Sequence, residues 1–168
     1  MNIVHLKIAI TSKDPVLRQE LTDIYTTHIA THNNHSEYPN SGFDLFCPES
    51  VVFDTPMKTK MVDLQIKTEM TYNMIPSAFL MFPRSSFSKT PLILANHTGI
   101  IDCGYRGSLL GAIKWFPDSQ ESTYTVEKHV RLLQITHPSL YPILVTLVDE
   151  SELSNTERGG NGFGSTGI

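Results

Sequence analysis

Apolar and polar positions alternate at the start of the chain: Val4, Leu6, Ile8 and Ile10 are separated by His5, Lys7 and Ala9. That period of two belongs to a strand with one buried face. A different rhythm follows. Leu17, Leu21, Ile24, Tyr25 and His28 recur at helical spacing behind Asp14-Pro15, an N-cap and a residue pre-set for the first helical turn. The pattern predicts one helix from Asp14 to about Thr31. The polar stretch Asn33 to Gly42, with Pro39 inside it, reads as a loop. Beyond it the apolar runs are short: Val62-Leu64-Ile66, Phe79 to Phe82, Leu92 to Ala95, Leu109 to Phe116, Tyr124-Val126, Leu132 to Thr136 and Ile143 to Val148. Turn residues separate them at the spacing of a sandwich, jelly roll or barrel. The body is therefore expected to be mostly β, with a single N-terminal helix.

After Leu153 the pattern breaks down. The segment from Ser154 to Gly167 carries five of the chain's ten glycines and one aromatic, Phe163, a composition that builds no core of its own. It reads either as a solvated linker or as a lid: glycines free the backbone to wrap a phosphate, and Arg158 is able to clamp one bidentately. The expected division is a β domain over 1–157 and a flexible arm over 158–168.

Length and composition narrow the class. At 168 residues, 40% hydrophobic and 18% charged, the chain is long enough for one well-buried core. A formal net charge of −4 disfavours stable binding to nucleic acid. No apolar run approaches a bilayer span and the N-terminus lacks the form of a secretion signal, so neither membrane nor secretion is expected. Cys47 and Cys103 form no CxxC pair. They suggest neither a disulfide framework nor a zinc site, and fit a reducing compartment such as cytoplasm or nucleus.

Three places carry candidate chemistry. His28, His32 and His35 fall at i, i+4 and i+7, but they run into an Asn-rich loop and read as a polar helix end. Pro83-Arg84-Ser85-Ser86 follows an apolar run and clusters a guanidinium with hydroxyls and backbone donors. Leu94 to Gly107 reads as two strands joined by a tight loop, presenting the amide of Asn96, the carboxylate of Asp102 and the ring of Tyr105 close together.

Taken in order, these segments resemble the trimeric dUTP nucleotidohydrolase (dUTPase) family. Ser41-Gly42-Phe43-Asp44-Leu45 is similar to its first motif, and Pro83-Arg84-Ser85-Ser86 to its second. Asn96 through Gly107 is similar to the third, Arg131-Leu132-Leu133-Gln134 to the fourth, and Arg158 through Gly167 to the fifth. The resemblance implies a jelly-roll-like subunit, a homotrimer with sites at subunit boundaries, and a C-terminal arm closing over each site. The implied reaction is dUTP plus water giving dUMP and pyrophosphate with Mg²⁺.

By the same resemblance Asp102 would orient and deprotonate the water attacking the α-phosphorus. Asn96 and the backbone around Gly99 and Ile101 would read the uracil edge, and Tyr105 would pack under the deoxyribose. Arg84, Ser85, Ser86 and Gln134 would hold the phosphates. Arg158, Ser165 and Thr166 would grip the distal phosphate, Phe163 would stack on the base, Gly164 would also contact substrate, and Asp44 would support Mg²⁺ through water.

The chain departs from the family pattern at Ser108, where an acid is usual, at Ser86, a common glycine, at His129-Val130 in place of Gly-Asp, and in its helix before the first motif. A dCTP deaminase-like relative is the nearest alternative, but it needs a proton-shuttling Glu where this chain has Gly111-Ala112-Ile113. A non-catalytic regulatory trimer on the same fold is the other.

Overall fold

The computed structural model describes residues 3–34, 37–117 and 122–162. The first strand, β1 (Val4–Ile10), lies between two others, parallel to β13 (Ile143–Leu147) and antiparallel to β5 (Ile66–Tyr72), with β6 (Ile75–Pro76) at the far edge. Its alternation does what the sequence predicts, since Val4, Leu6 and Ile8 are buried. A second sheet has the order β2 (Gly42–Phe46), β12 (Arg131–Thr136), β7 (Phe79–Pro83) and β9 (Gly99–Ile101). A third runs β4 (Thr59–Asp63), β10 (Leu110–Trp115), β8 (Leu92–Leu94), and a ribbon pairs β11 (Tyr124–Val126) with β3 (Val51–Phe53). Side chains such as Phe43, Phe79, Met81, Ile113 and Trp115 fill one core between them. The architecture is the expected jelly-roll-like β sandwich with one helix.

Helix α1 (Pro15–Asn33) starts where the sequence puts it, with Asp14 Oδ1 accepting from the amides of Val16 and Leu17 at 2.8 and 3.4 Å. Its buried stripe is Leu17, Leu21, Tyr25 and Ile29, a strict i+4 row, and His28 sits at the flank of that row, only half-buried. The helix also runs past Thr31 to Asn33. There the Asn33 carboxamide donates to Val145 O at 2.7 Å and accepts from Val145 N at 3.1 Å, and His32 Nε2 meets Ile143 O at 2.9 Å. These contacts cover the free edge of β13 and supply a tertiary reason for the last turn.

Two expectations from periodicity are corrected. Val62-Leu64-Ile66 is not one strand: β4 ends at Asp63, Gln65 adopts a left-handed φ of 52°, and β5 begins at Ile66 in another sheet. Leu64 stays buried in the corner, so hydrophobic alternation continues through a turn that it does not reveal. Likewise β8 and β9 are joined by a tight loop but do not pair. β8 pairs with β10 and β9 with β7, so the loop carries the chain between sheets. Both cysteines are free, Cys47 buried and Cys103 exposed.

Candidate active site

Two cavities gather the residues singled out in the sequence. The larger, about 700 Å³, opens where β2, β12 and the end of β7 meet α1. Antiparallel register sets Asp44 opposite Gln134. Arg84, just past β7, keeps to the ladder through its amide on Leu132 O at 2.9 Å and turns its guanidinium across to Asp44, Nε to Oδ1 2.6 Å. Arg131 Nη1 approaches the other oxygen of Asp44 at 3.1 Å. One carboxylate thus organises two guanidinium groups, leaving this wall with a net positive charge suited to an anion. Ser85 and Gln134 line the same cavity. Gln134 donates to Pro83 O at 3.1 Å and lies across Gly42, where a Cβ would come within 2.3 Å of its Oε1. Ser86 is exposed, accepts from Arg84 Nη1 at 3.1 Å, and does not line the cavity.

The smaller pocket, about 150 Å³, lies between β9, the loop that follows it and the start of the tail. Asn96, Gly99, Ile101, Asp102, Tyr105 and Arg158 all contribute to its wall. The Tyr105 amide donates to Asp102 O at 2.9 Å, closing a turn, and its hydroxyl donates to Ser108 O at 2.9 Å. The ring folds over Gly107, where a Cβ would stand 2.3 Å from the Tyr105 hydroxyl oxygen. Any larger residue there displaces the ring. Burial, with the Asp63 carboxylate nearby, raises the Tyr105 pKa above the ordinary tyrosine value. Arg158 Nη1 donates to Asp102 Oδ2 at 2.8 Å, so the tail's arginine sits on the carboxylate and not in the cavity of Arg84 and Gln134.

Among the described residues none lines both cavities. The sequence-predicted residues are therefore brought together as two groups: Asp44, Arg84, Ser85 and Gln134 in one, Asn96, Gly99, Ile101, Asp102, Tyr105 and Arg158 in the other. Phe163, Gly164, Ser165 and Thr166 lie outside the described residues, as does His35. The remaining histidines, His28 and His32, have ring centroids 6.4 Å apart, and among the described residues no group of three His, Cys, Asp or Glu is placed to hold a metal.

Sequence reasoning missed three residues. Arg131 opens the fourth motif, but nothing in its spacing announced a contact with Asp44. Glu69 and Arg106, the residue after Tyr105, form an ion pair at 3.1 Å, with side chains 9% and 10% exposed. Burial would raise the Glu69 pKa, but hydrogen bonds from Ser154 and the Lys7 ammonium outweigh it and hold the group at about 2. Glu69 lies in β5 beyond the apolar runs read from the sequence, so its partner was legible only in three dimensions. Ser108, the departure from the usual acid, donates to Asp63 Oδ1; a carboxylate in its place would face another carboxylate. His129 has a φ of 66°, so the chain keeps at this position the left-handed backbone for which glycine is the easier residue.

The fold and its two cavities define a jelly-roll protein with a cationic cavity and a carboxylate-bearing pocket. The sequence pattern of the dUTPase family matches residues 29–167. Over 153 residues the chain is 31% identical to the deoxyuridine 5′-triphosphate nucleotidohydrolase of Alkaliphilus metalliredigens (strain QYMF), covering 86% of this chain and 99% of that one. It is 34% identical over 132 residues to the protein of the same name from Hydrogenobaculum sp. (strain Y04AAS1), covering 76% and 84%. Among solved structures, a mutant dUTPase of Staphylococcus bacteriophage 80alpha with dUpNHpp aligns at a TM-score of 0.55 and 23% identity, covering 97% of this chain and 98% of the other. A mutant dUTPase of phage phi11 of S. aureus, described as coordinating a structural Mg(II) ion, aligns at 0.53 and 19% identity, covering 78% and 88%; both structures share the fold. This chain belongs to the dUTPase family.

Proposed function

We propose that the protein hydrolyses dUTP to dUMP and pyrophosphate, with water attacking the α-phosphorus. The observation that carries the reading is the partition of the family's residues into a small pocket bearing Asn96, Asp102 and Tyr105 and a cationic cavity bearing Arg84 and Gln134. The first has the groups for a nucleoside and the second those for a phosphate chain. Hydrolysis of a phosphoanhydride needs an aligned water, charge on the phosphate oxygens and exclusion of bulk solvent, with little covalent help. A carboxylate positions water and accepts its proton as the bond to phosphorus forms.

In this reading Asp102 directs the water. Asn96 and the backbone at Gly99 and Ile101 bond the uracil edge, while Tyr105, pinned through its hydroxyl, forms the floor that leaves no room for a 2′-hydroxyl. Arg84, Ser85 and Gln134 hold phosphate oxygens, and Ser86 keeps the Arg84 guanidinium aimed. Arg158, with Phe163, Gly164, Ser165 and Thr166 beyond it, supplies the closing arm over 158–168, and residues 1–157 form the body.

Asp44 is the one carboxylate lining the cationic cavity among the described residues, and both of its oxygens accept from guanidinium groups. A carboxylate oxygen accepts a further bond from a metal-bound water without losing these. The residues therefore fit a Mg²⁺ that arrives on the phosphates and keeps its waters, not one caged by protein. When bound, the ion supplies charge stabilisation at the phosphate oxygens.

Because the two cavities share no residue, one dUTP is best served by the small pocket of one subunit facing the cationic cavity of another, as in a homotrimer. One face of the third sheet offers Met61 and Ile93, 42% and 43% exposed, as apolar contact surface. Among the described residues no helix is long and apolar enough to cross a membrane, and the free cysteines fit a reducing compartment such as cytoplasm or nucleus. No carboxylate stands on β10, where the deaminase alternative needs one. Pyrophosphate release measured with Mg²⁺ from dUTP, dCTP, dTTP and UTP in parallel tests the proposal. Turnover of dUTP alone is expected; ammonia release from dCTP, or no turnover of any, overturns it.

A further inference from the structure

We propose that Asp63, at the corner between β4 and β5, is a specificity-determining residue of the small pocket: acting through Ser108, it holds the Tyr105 ring where a 2′-hydroxyl would have to fit. The inference rests on the reading of that pocket as the nucleoside half of the site. One carboxylate oxygen, Asp63 Oδ1, accepts from the Gln65 amide at 2.8 Å and from the Ser108 hydroxyl. The carbonyl of the same serine accepts from the Tyr105 hydroxyl at 2.9 Å. Ser108 is thus tied by its side chain to a strand corner and by its backbone to the ring. The family pattern has an acid at 108; here a serine stands there, and the carboxylate beside it comes from Asp63.

The corner is a firm support. Gln65 turns the chain with its left-handed φ of 52°, and an aspartate that bonds the amide two residues on is the side chain that stabilises such a turn. The Thr11 amide donates to Gln65 O, the Leu64 amide to Leu109 O and the Leu109 amide to Ile66 O, each at 2.9 Å. Leu109 and Leu110 line the small pocket beside Tyr105, so the corner grips the backbone of the pocket wall directly. The contact from Asp63 to Ser108 carries that grip one residue further, to the carbonyl that Tyr105 uses. Gly107 adds no side chain beneath the ring, which folds so closely over it that a Cβ would stand 2.3 Å from the hydroxyl oxygen. The tilt of the ring therefore depends on where its hydroxyl is held. A 2′-hydroxyl is a single extra oxygen atom, and excluding it needs a ring kept in place by such supporting bonds.

Calorimetric binding of dUMP and UMP tests the proposal without turnover, and Asp63 is solvent-exposed, so replacing it leaves the core intact. The wild-type protein should prefer dUMP. Asp63→Ala and Ser108→Ala should each cut that preference about fivefold, chiefly through tighter UMP binding, the size expected for one lost hydrogen bond. Asp63→Asn keeps an acceptor oxygen and should keep most of the preference. Tyr105→Phe should cut it as far as Asp63→Ala, and the two together no further. An undiminished preference in Asp63→Ala, an equal loss of affinity for both nucleotides, or a further loss in the double variant overturns the proposal. The Tyr105 phenol gives a second readout that needs no ligand. Burial raises its pKa, Asp63 adds to the rise and Arg158 opposes it. In ultraviolet titration, the transition missing from Tyr105→Phe should move down in Asp63→Asn, which loses the charge. It should move further down in Asp63→Ala, which also frees Ser108 and weakens the bond that the neutral phenol donates. A transition that does not move, or that moves equally in both, overturns the proposal. If the wild-type protein binds neither nucleotide, the nucleoside reading of the pocket falls, and the phenol titration alone decides whether Asp63 holds Tyr105.

Discussion

Asp102 and Glu69 are two carboxylates with opposite circumstances. Asp102 stands about half-exposed beside a single guanidinium, free to face a water and a phosphorus. If it directs the attack, Asp102→Asn keeps the shape and removes the base, so the loss falls on the transition state. Steady-state kinetics should give a kcat lower by orders of magnitude with KM little changed; a variant near full kcat would take Asp102 out of the mechanism. Glu69 is a structural charge held at about 2 against an ordinary 4.5. A depressed carboxylate adds stability that is complete above pH 4.5 and is lost as pH falls through about 2. Glu69→Gln should therefore cost about 3 kcal/mol in denaturant unfolding at pH 7, with the gap to wild type narrowing between pH 4.5 and pH 2. A gap independent of pH would assign the loss to packing.

At the scale of elements, helix α1 joins the first sheet to the second. Tyr25, fully buried on α1, accepts from the Phe46 amide at 3.3 Å and packs edge-on against the Phe46 ring at 5.2 Å, steadying the strand that carries Asp44. At its other end Asn33 takes both backbone groups of Val145. Asn33→Ala should cost about 1–3 kcal/mol and leave the β13 edge open to pairing, seen as a lower unfolding midpoint and as concentration-dependent aggregation. An unchanged midpoint would make that contact dispensable. The start of α1 was legible because Asp14-Pro15 is a local signal. Its end was not, because Asn33 and His32 bind strand backbone distant in sequence. The same logic separates the strands that periodicity found from the corner at Gln65 that it missed: alternation reports burial, and Leu64 is buried inside a turn.

For the whole molecule, the chemistry-bearing motifs were legible because each is short and contiguous, whereas their division into two cavities depends on which sheet each strand joins. In the proposed reading that division makes assembly part of the function. Met61→Lys, on the face shared with Ile93, should place a charge in the subunit contact and leave the monomer fold intact. Light scattering is expected to report dissociation together with loss of dUTP turnover, and an active monomer would show that one chain completes its own site. The most direct measurement on the mechanism is turnover of dUTP in ¹⁸O-labelled water. The account predicts that the label enters dUMP, because water attacks the α-phosphorus under Asp102; label in the pyrophosphate would contradict it.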